Sequence, residues 1–239
     1  MSPARIVVVI PARYGATRLP GKPLVQLAGK PMIQHVYERA KLAKRADQVI
    51  VATDDERILK AVEEFGGEAR MTRADHRTGT ERVAEVAAHV AGDVFVNVQG
   101  DEPLLDPAAV DTAVSSLLEE PPASISTVAT PVKTPGDIMD PNVVKTVVDF
   151  DGNALYFSRA PIPWVRDTGS KILVRHMKHL GLYVFQREAL LEYPTLPQGE
   201  LERIEQLEQL RWMENGWKIR GRSSHCGCGR RVCRGRAEE

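Results

Sequence analysis

Short apolar runs alternate with helical patterns along the first 130 residues, and this alternation restricts the chain to few fold classes. Runs such as residues 5–10 are almost continuously apolar, as expected for strands buried on both faces of a sheet. The predicted strands are 5–10, 48–52, 93–98 and 124–130, and the helices between them are predicted to begin at Pro31, Asp54 or Asp55, Thr78 or Thr80, and Pro107. Repeated strand–helix units predict an α/β fold: a mostly parallel sheet between two layers of helices.

The pattern changes after Pro131. Apolar runs at 143–150 and 153–157 are joined by Asp-Gly, which indicates a β-hairpin. A further strand is predicted at 179–185. We therefore expect a smaller, partly antiparallel lobe over about residues 131–190 that covers a substrate or forms a dimer contact. Beyond it, residues 201–214 predict one helix with an apolar stripe formed by Leu201, Ile204, Leu207, Leu210 and Met213.

Composition narrows the class of protein. The 239 residues include 32 basic and 32 acidic side chains, whereas a protein that neutralises nucleic-acid phosphates is usually basic. No apolar run near the start approaches the ~18 residues that span a bilayer. We therefore expect a cytoplasmic protein with neither a nucleic-acid nor a membrane partner, and one domain over residues 1–220.

The C-terminal residues 221–239 differ in composition from the rest of the chain. Residues 218–236 contain seven basic and no acidic residues, and all three cysteines, Cys226, Cys228 and Cys233, lie here. The cysteine spacing fits no common structural zinc site. We expect a disordered basic tail.

The loop after the first strand is the first candidate binding segment. It is about a dozen residues long, and functional connections are often longer than the usual ~2–6 residues. Its glycines allow backbone N–H groups to approach an anion, and Arg13, Arg18 and Lys22 can bind phosphate oxygens. A solvated basic connector is the alternative reading. The segment matches neither of the common glycine-rich phosphate-binding motifs.

A second candidate lies where the predicted strand 93–98 ends in Gln99, Gly100, Asp101 and Glu102. If the strands are parallel, this end meets the first loop at one edge of the sheet. Mg²⁺ often uses one or two carboxylates together with substrate phosphates, and Asp101 is the first choice as its ligand. Alternatively, either carboxylate caps the turn at Pro103.

The third candidate, residues 71–82, offers arginines, hydroxyls and a helix N-terminus to an anionic ligand. Thr78 and Glu81 also fit a capping box, and both readings can hold together.

Seven segments in order along the chain resemble the 3-deoxy-manno-octulosonate cytidylyltransferases (CMP-Kdo synthetases). They are residues 10–24, 53–54, 72–82, 97–103, 156–164, 179–183 and 201–211. The resemblance implies a nucleotidyltransferase (Rossmann-like) domain with a dimerisation insert, a cytoplasmic homodimer, and Mg²⁺-dependent transfer of CMP from CTP to Kdo for lipopolysaccharide synthesis.

The same resemblance implies roles for individual residues. Lys22, Arg18 and Asp101 would be catalytic, with Asp101 also the metal ligand. The nucleotide site would comprise Pro11, Ala12, Arg13, Arg18, Lys22, Arg73, Thr80 and Gln99, and the sugar site Gln99, Arg159, His179, Tyr183 and Glu205.

The tail departs from this family, whose closing Gly-Val-Asp-Thr-Pro-Glu-Asp run supplies a second metal-ligating Asp. One hypothesis is a reading-frame shift near residue 221, which resequencing the gene would test. Two alternatives to the implied function stay open: a cytidylyltransferase for another acidic sugar, such as an amino analogue of Kdo or a sialic acid, and an inactive nucleotide-binding homologue.

Overall fold

The computed structural model describes residues 3–15, 19–166 and 175–223, which form a nine-stranded sheet with helices on both faces and a separate two-stranded ribbon. In its first half the chain forms β1 (Ile6–Ala12), the ribbon strands β2 (Gln26–Leu27) and β3 (Lys30–Pro31), α1 (Met32–Lys41), β4 (Gln48–Thr53), α2 (Glu56–Glu64), β5 (Ala69–Met71), α3 (Gly79–His89), β6 (Val94–Val98) and α4 (Pro107–Leu118). Helix α1 ends at Lys41, a few residues before Lys44 and Arg45, near which the sequence pattern predicts its end.

The second half completes the sheet. It contains β7 (Ile125–Pro131), α5 (Pro135–Met139), β8 (Lys145–Val148), β9 (Ala154–Ser158), β10 (Met177–Gln186), α6 (Arg187–Glu192), α7 (Glu200–Glu205), α8 (Gln209–Glu214) and β11 (Arg220–Ser223). The strand order is β11-β7-β10-β6-β1-β4-β5, with β8 and β9 extending from β10. Strands β1, β4, β5 and β6 are mutually parallel, and β10 runs antiparallel between β6 and β7. The predicted α/β class with a mostly parallel sheet is confirmed.

Two apolar clusters, one on each face of the sheet, form the core. Side chains of β1 alternate between them, because successive residues of a strand point to opposite faces. Val8 and Ile10 pack with α1, α2 and α4, whereas Val7 and Val9 pack with α3, α6 and α8. This arrangement makes the three layers and leaves the carboxyl ends of β1 and β6 at one edge.

The predicted lobe is only partly separate from the main sheet. Strands β8 and β9 form an antiparallel hairpin whose turn contains Gly152 at φ 84°. Only Met177 and Lys178 of β10 pair with β8, and residues 182–186 pair with β6 inside the main sheet.

The single helix predicted over residues 201–214 is wrong. The chain forms α7 and α8, separated at Gln206, which adopts a left-handed conformation with φ 51°. Leu201 and Ile204 of the expected apolar stripe are exposed, whereas Leu207 and Leu210 are buried. The break rotates the second half of the segment relative to the first.

Strand β11 pairs parallel with β7 and extends to Ser223, three residues past the boundary predicted at 220. The remaining tail and its cysteines lie outside the described residues. Among the helices that the structure describes, none is both long and apolar enough to traverse a bilayer.

Candidate active site

A backbone hydrogen bond joins the two ends of the loop after β1. Gly21 donates its N–H to the Tyr14 carbonyl at 2.8 Å, and the Arg57 guanidinium lies 3.3 Å from the centroid of the Tyr14 ring. The exposed Arg13 makes no hydrogen bond or ion pair with another described residue. Residues 16–18, including the predicted catalytic Arg18, lie outside the described residues. The loop therefore presents Arg13 and Lys22 from a turn anchored at Tyr14.

Lys22 and Asp101 meet at the sheet edge, although 79 residues separate them in the chain. Lys22 Nζ donates to Asp101 Oδ2 at 2.6 Å, and the two side chains are 40% and 51% exposed. Because both groups are half exposed, their pairing contributes only ~0–1 kcal/mol to stability. The pair leaves both charges accessible to a ligand.

Two glycines allow the surrounding backbone to pack tightly at this edge. A Cβ at Gly100 would lie 2.7 Å from the Pro11 carbonyl oxygen, and one at Gly79 would lie 3.3 Å from Pro11 Cγ. Only a residue without a side chain fits the first of these contacts. The end of β1, the end of β6 and the N-terminus of α3 are thereby brought together.

The N-terminus of α3 is capped as the sequence suggests, with one difference. Thr78 accepts a hydrogen bond from the Glu81 N–H at 3.1 Å, but Glu81 Oε2 accepts from the N–H of Arg77, the residue before the cap, at 2.7 Å. Thr80 is buried in the first turn and accepts a hydrogen bond from Asn97 Nδ2 of β6 at 3.2 Å. The predicted site residue Thr80 is therefore fixed between α3 and the sheet.

His179 and Tyr183 lie side by side on the sheet face that packs against α3 and α8. In a regular strand, Cα atoms four residues apart are ~13 Å from each other, yet the ring centroids of these residues are 5.2 Å apart. The register of β10 against β7 shifts between Leu180 and Tyr183, and this bulge shortens the separation. The Phe157 ring packs edge-on against His179, with centroids 4.9 Å apart.

Burial keeps the His179 ring neutral. Desolvation lowers the pKa of His179 from 6.5 to about 3, and burial also raises the pKa of Tyr183 well above its ordinary value. Both groups are therefore uncharged at neutral pH, and they can only donate or accept hydrogen bonds.

The lowered pKa of His179 predicts an acid-sensitive contribution to stability. Between pH 6.5 and about 3 the unfolded chain binds a proton that the folded chain does not, so stability falls as the pH falls. We expect the free energy of unfolding to lose about 2 kcal/mol from this group between pH 7 and pH 5. Urea denaturation at both pH values should show this loss in the wild type and its absence in His179→Gln. The same pH dependence in both proteins would contradict the assignment.

Two residues near Tyr183, Asn97 on the neighbouring strand and Glu208, were not among the predicted site residues. The Glu208 carboxyl interacts with Thr78 and Thr80 at the start of α3, and burial raises its pKa in spite of these contacts. Asn97 Oδ1 and Glu208 Oε2 are buried without a hydrogen-bond partner among the described residues, an arrangement that costs free energy unless a ligand or water completes it. An asparagine between two valines of a buried strand was the available signal for Asn97. For Glu208 the signal was obscured because one continuous helix was expected.

Arg159 and Glu205 of the predicted sugar site are engaged with each other and with the backbone. Arg159 donates from Nε to the Glu205 carbonyl at 2.7 Å, from Nη1 to the Pro141 carbonyl at 2.9 Å and from Nη2 to the Gln206 carbonyl at 3.3 Å. Glu205 Oε1 accepts from Ser158 Oγ at 2.6 Å, and Oε2 accepts from the Arg159 N–H at 2.9 Å. In this structure the two residues hold the turn between α7 and α8, and their roles in sugar binding stay predictions.

Arg73 and Gln99 are two further residues of the predicted nucleotide site. Arg73 forms a bidentate pair with Asp75, with an Nη2–Oδ2 distance of 2.5 Å, and both side chains are exposed. Gln99 lines a cavity of about 310 Å³, and Glu102, Lys133 and Lys178 also line it. His179 and Tyr183 do not line this cavity, whose walls include Val98 and Leu182 from the opposite side of the sheet.

The donors at the sheet edge fit Mg²⁺ held jointly with a bound phosphate. Within the described ranges, no three His, Cys, Asp or Glu side chains are grouped closely enough to form a metal cage. Mg²⁺ does not require such a cage, because one or two carboxylates, substrate phosphates and water complete its shell. Asp101, adjacent to the cationic loop, is the carboxylate placed for this arrangement.

Comparison with known proteins gives consistent matches along the chain. The family model described as cytidylyltransferase matches residues 7–219. The chain is 55% identical over 218 residues to 3-deoxy-manno-octulosonate cytidylyltransferase of Solibacter usitatus, covering 91% of this chain and 86% of that protein. It is 51% identical to the protein of the same name from Geotalea daltonii, covering 90% and 88%. A solved structure of CMP:2-keto-3-deoxy-manno-octonic acid synthetase complexed with CTP superimposes with a TM-score of 0.87 at 45% identity, over 92% of this chain and 90% of that chain.

Proposed function

Because the chain belongs to the cytidylyltransferase family, in its 3-deoxy-manno-octulosonate branch, we propose that it transfers CMP from CTP to 3-deoxy-manno-octulosonate (Kdo) and releases pyrophosphate. The observation that carries this proposal is the 2.6 Å contact between Lys22 Nζ and Asp101 Oδ2. This contact supports a single site in which a cation for the triphosphate and a carboxylate for its metal lie side by side. The product would serve lipopolysaccharide synthesis in the cytoplasm.

The loop after β1 would bind the nucleotide. Pro11 and Ala12 would contact the base, and Arg13, Arg18 and Lys22 the triphosphate. The described part of the loop supports this proposal, because Arg13 is exposed, Lys22 is partly exposed and Ala12 at the end of β1 is buried. Arg73, Thr80 and Gln99 would complete the pocket, and Arg73 would have to exchange its partner Asp75 for a phosphate.

Asp101 would hold Mg²⁺ together with the triphosphate. The bound ion would neutralise charge on the α-phosphate and orient the sugar for attack. Lys22 must leave Asp101 when the triphosphate binds. A half-exposed ion pair contributes little free energy, so breaking it for this exchange costs little. After the exchange, Lys22 would lie where it can neutralise the departing pyrophosphate.

The sugar would lie against the face of β10. His179 and Tyr183 are neutral and can bind hydroxyl groups. The unpartnered oxygens of Asn97 and Glu208 support a polar ligand at the same face. Gln99 would lie between nucleotide and sugar, and Arg159 and Glu205 would act at the outer end of the site.

The reaction needs positioning more than covalent chemistry. The anomeric hydroxyl oxygen of Kdo bonds to the α-phosphorus and releases its proton to solvent, while the bond from that phosphorus to the bridging oxygen of pyrophosphate breaks. Holding the two reactants in line and stabilising the departing charge are the contributions that the protein can make. Lys22, Arg18 and Asp101 are the residues assigned to them.

The β8–β9 hairpin supports the proposed homodimer. Phe150 is 93% exposed and Trp164 is 73% exposed, and Leu155 and Val148 of the hairpin are also exposed. Exposed large apolar side chains along one segment of the chain are candidates for contact with a partner. A second copy of this chain would cover them.

Pyrophosphate release with CTP as the nucleotide tests the function directly. We expect turnover with Kdo and little with sialic acid or the amino analogue of Kdo. Turnover only with another acidic sugar would show that the chain is a cytidylyltransferase whose substrate is that sugar and not Kdo. Calorimetric binding of CTP without turnover of any sugar would instead indicate an inactive nucleotide-binding homologue.

A further inference from the structure

Thr127 forms a relay with β10 that determines which nitrogen of His179 carries the proton. Thr127 Oγ1 lies 2.6 Å from the Leu182 carbonyl oxygen and 2.9 Å from His179 Nε2. All three residues are at least 90% buried. A carbonyl oxygen can only accept a hydrogen bond, so the single hydroxyl proton of Thr127 is donated to Leu182. The Thr127 oxygen is then left to accept, and His179 Nε2 must donate to it.

This assignment has a consequence for the other ring nitrogen. A neutral imidazole carries one N–H, so a proton on Nε2 leaves Nδ1 as an acceptor. Nδ1 makes no hydrogen bond with any residue that the structure describes. The rings of Phe157 and Tyr183, with centroids 4.9 and 5.2 Å from that of His179, restrict rotation of the imidazole.

We infer that Thr127 is a positioning residue that holds His179 as the Nε2–H tautomer, so that Nδ1 accepts a hydrogen bond from a hydroxyl of the acidic sugar. This inference rests on the proposed function, because it takes the sugar to be the ligand of His179. It makes His179 selective, since a sugar that offers only an acceptor at this position would be rejected. Thr127 itself need not touch the ligand.

The tautomer can be measured in the ligand-free protein by NMR of ¹⁵N-labelled histidine rings. In the wild type we expect His179 to show a protonated Nε2 and an unprotonated Nδ1, with its signals assigned by their loss in His179→Gln. Thr127→Val keeps the shape of the side chain but removes the hydroxyl, and it should give a mixture of both tautomers. Thr127→Ser keeps the hydroxyl and should preserve the wild-type pattern.

Steady-state kinetics supplies the second readout. Loss of one neutral hydrogen bond weakens the binding of a ligand by roughly 2- to 12-fold. We therefore expect Thr127→Val to raise the KM for Kdo by up to about tenfold, with kcat and the KM for CTP unchanged, and Thr127→Ser to restore it. A purely structural role of Thr127 would alter both substrates' KM values or kcat as well.

The two measurements separate failure of this inference from failure of the proposed function. A protonated Nδ1 in the wild type would overturn the relay even if Thr127→Val does not fold. A shifted tautomer with an unchanged KM for Kdo would overturn the contact between Nδ1 and the sugar. Absence of turnover with Kdo, together with the Nε2–H pattern, would remove the proposed function and leave the relay standing.

Discussion

Replacing Asp101 by asparagine is expected to lower turnover by at least ~10²-fold, and replacing Lys22 by alanine should do the same. Losses of this size follow removal of a group that stabilises developing charge in a transition state. Asparagine keeps the shape of Asp101 but removes the negative charge that would hold the metal. The Lys22→Ala change removes the cation that would neutralise pyrophosphate. The rate of pyrophosphate release with saturating CTP and Kdo measures both effects.

Neither change should unfold the protein. The Lys22–Asp101 pair is half exposed on both sides, so its loss costs only ~0–1 kcal/mol of stability, and thermal melting should confirm this. Glu64→Gln and Lys41→Ala are matched controls, because both residues are exposed and lie at the C-terminal ends of α2 and α1, away from this edge of the sheet. Unchanged rates in Asp101→Asn and Lys22→Ala would show that the active site lies elsewhere.

Helices and strands could be predicted from the sequence where the residues that begin them lie within or next to the element itself. Helix α4 begins at Pro107 as expected, because Asp106 caps it and Pro107 suits the first helical turn, and it ends at Leu118, close to where the apolar pattern predicts. The meeting of Lys22 with Asp101 was also predictable, since it follows from parallel strands whose carboxyl ends share one edge.

The break between α7 and α8 could not be predicted in the same way. No glycine or proline marks it, and Gln206 takes the left-handed conformation that non-glycine residues rarely adopt. Contacts distant in sequence hold this turn, since Arg159 donates to the carbonyls of Glu205 and Gln206. The break turns Glu208 toward the start of α3, where its carboxyl contacts Thr78 and Thr80.

A buried ion pair stabilises this broken segment, and removing one partner should have a large effect on stability. Glu202 and Arg211 are 4% and 5% exposed. Arg211 donates from Nε and from Nη2 to the two carboxylate oxygens, at 2.8 Å each. A third contact, from Arg211 Nη1 to Glu81 Oε1 at 3.3 Å, joins α8 to α3. The pair therefore holds α7, α8 and the N-terminal turn of α3 together.

Glu202→Gln is expected to lower the free energy of unfolding by about 3 kcal/mol, because breaking a buried pair leaves an incompletely compensated charge. Glutamine retains one acceptor, but its NH₂ group would face a guanidinium N–H. For a domain of this size the loss corresponds to a decrease in Tm of about 6–12 °C. Glu200→Gln is the matched control, since Glu200 is exposed in the same helix and should change the free energy of unfolding by less than about 1 kcal/mol. If urea denaturation gave both variants the same stability, α7 and α8 would have to be held by apolar packing alone, and the turn at Gln206 would not depend on this ion pair.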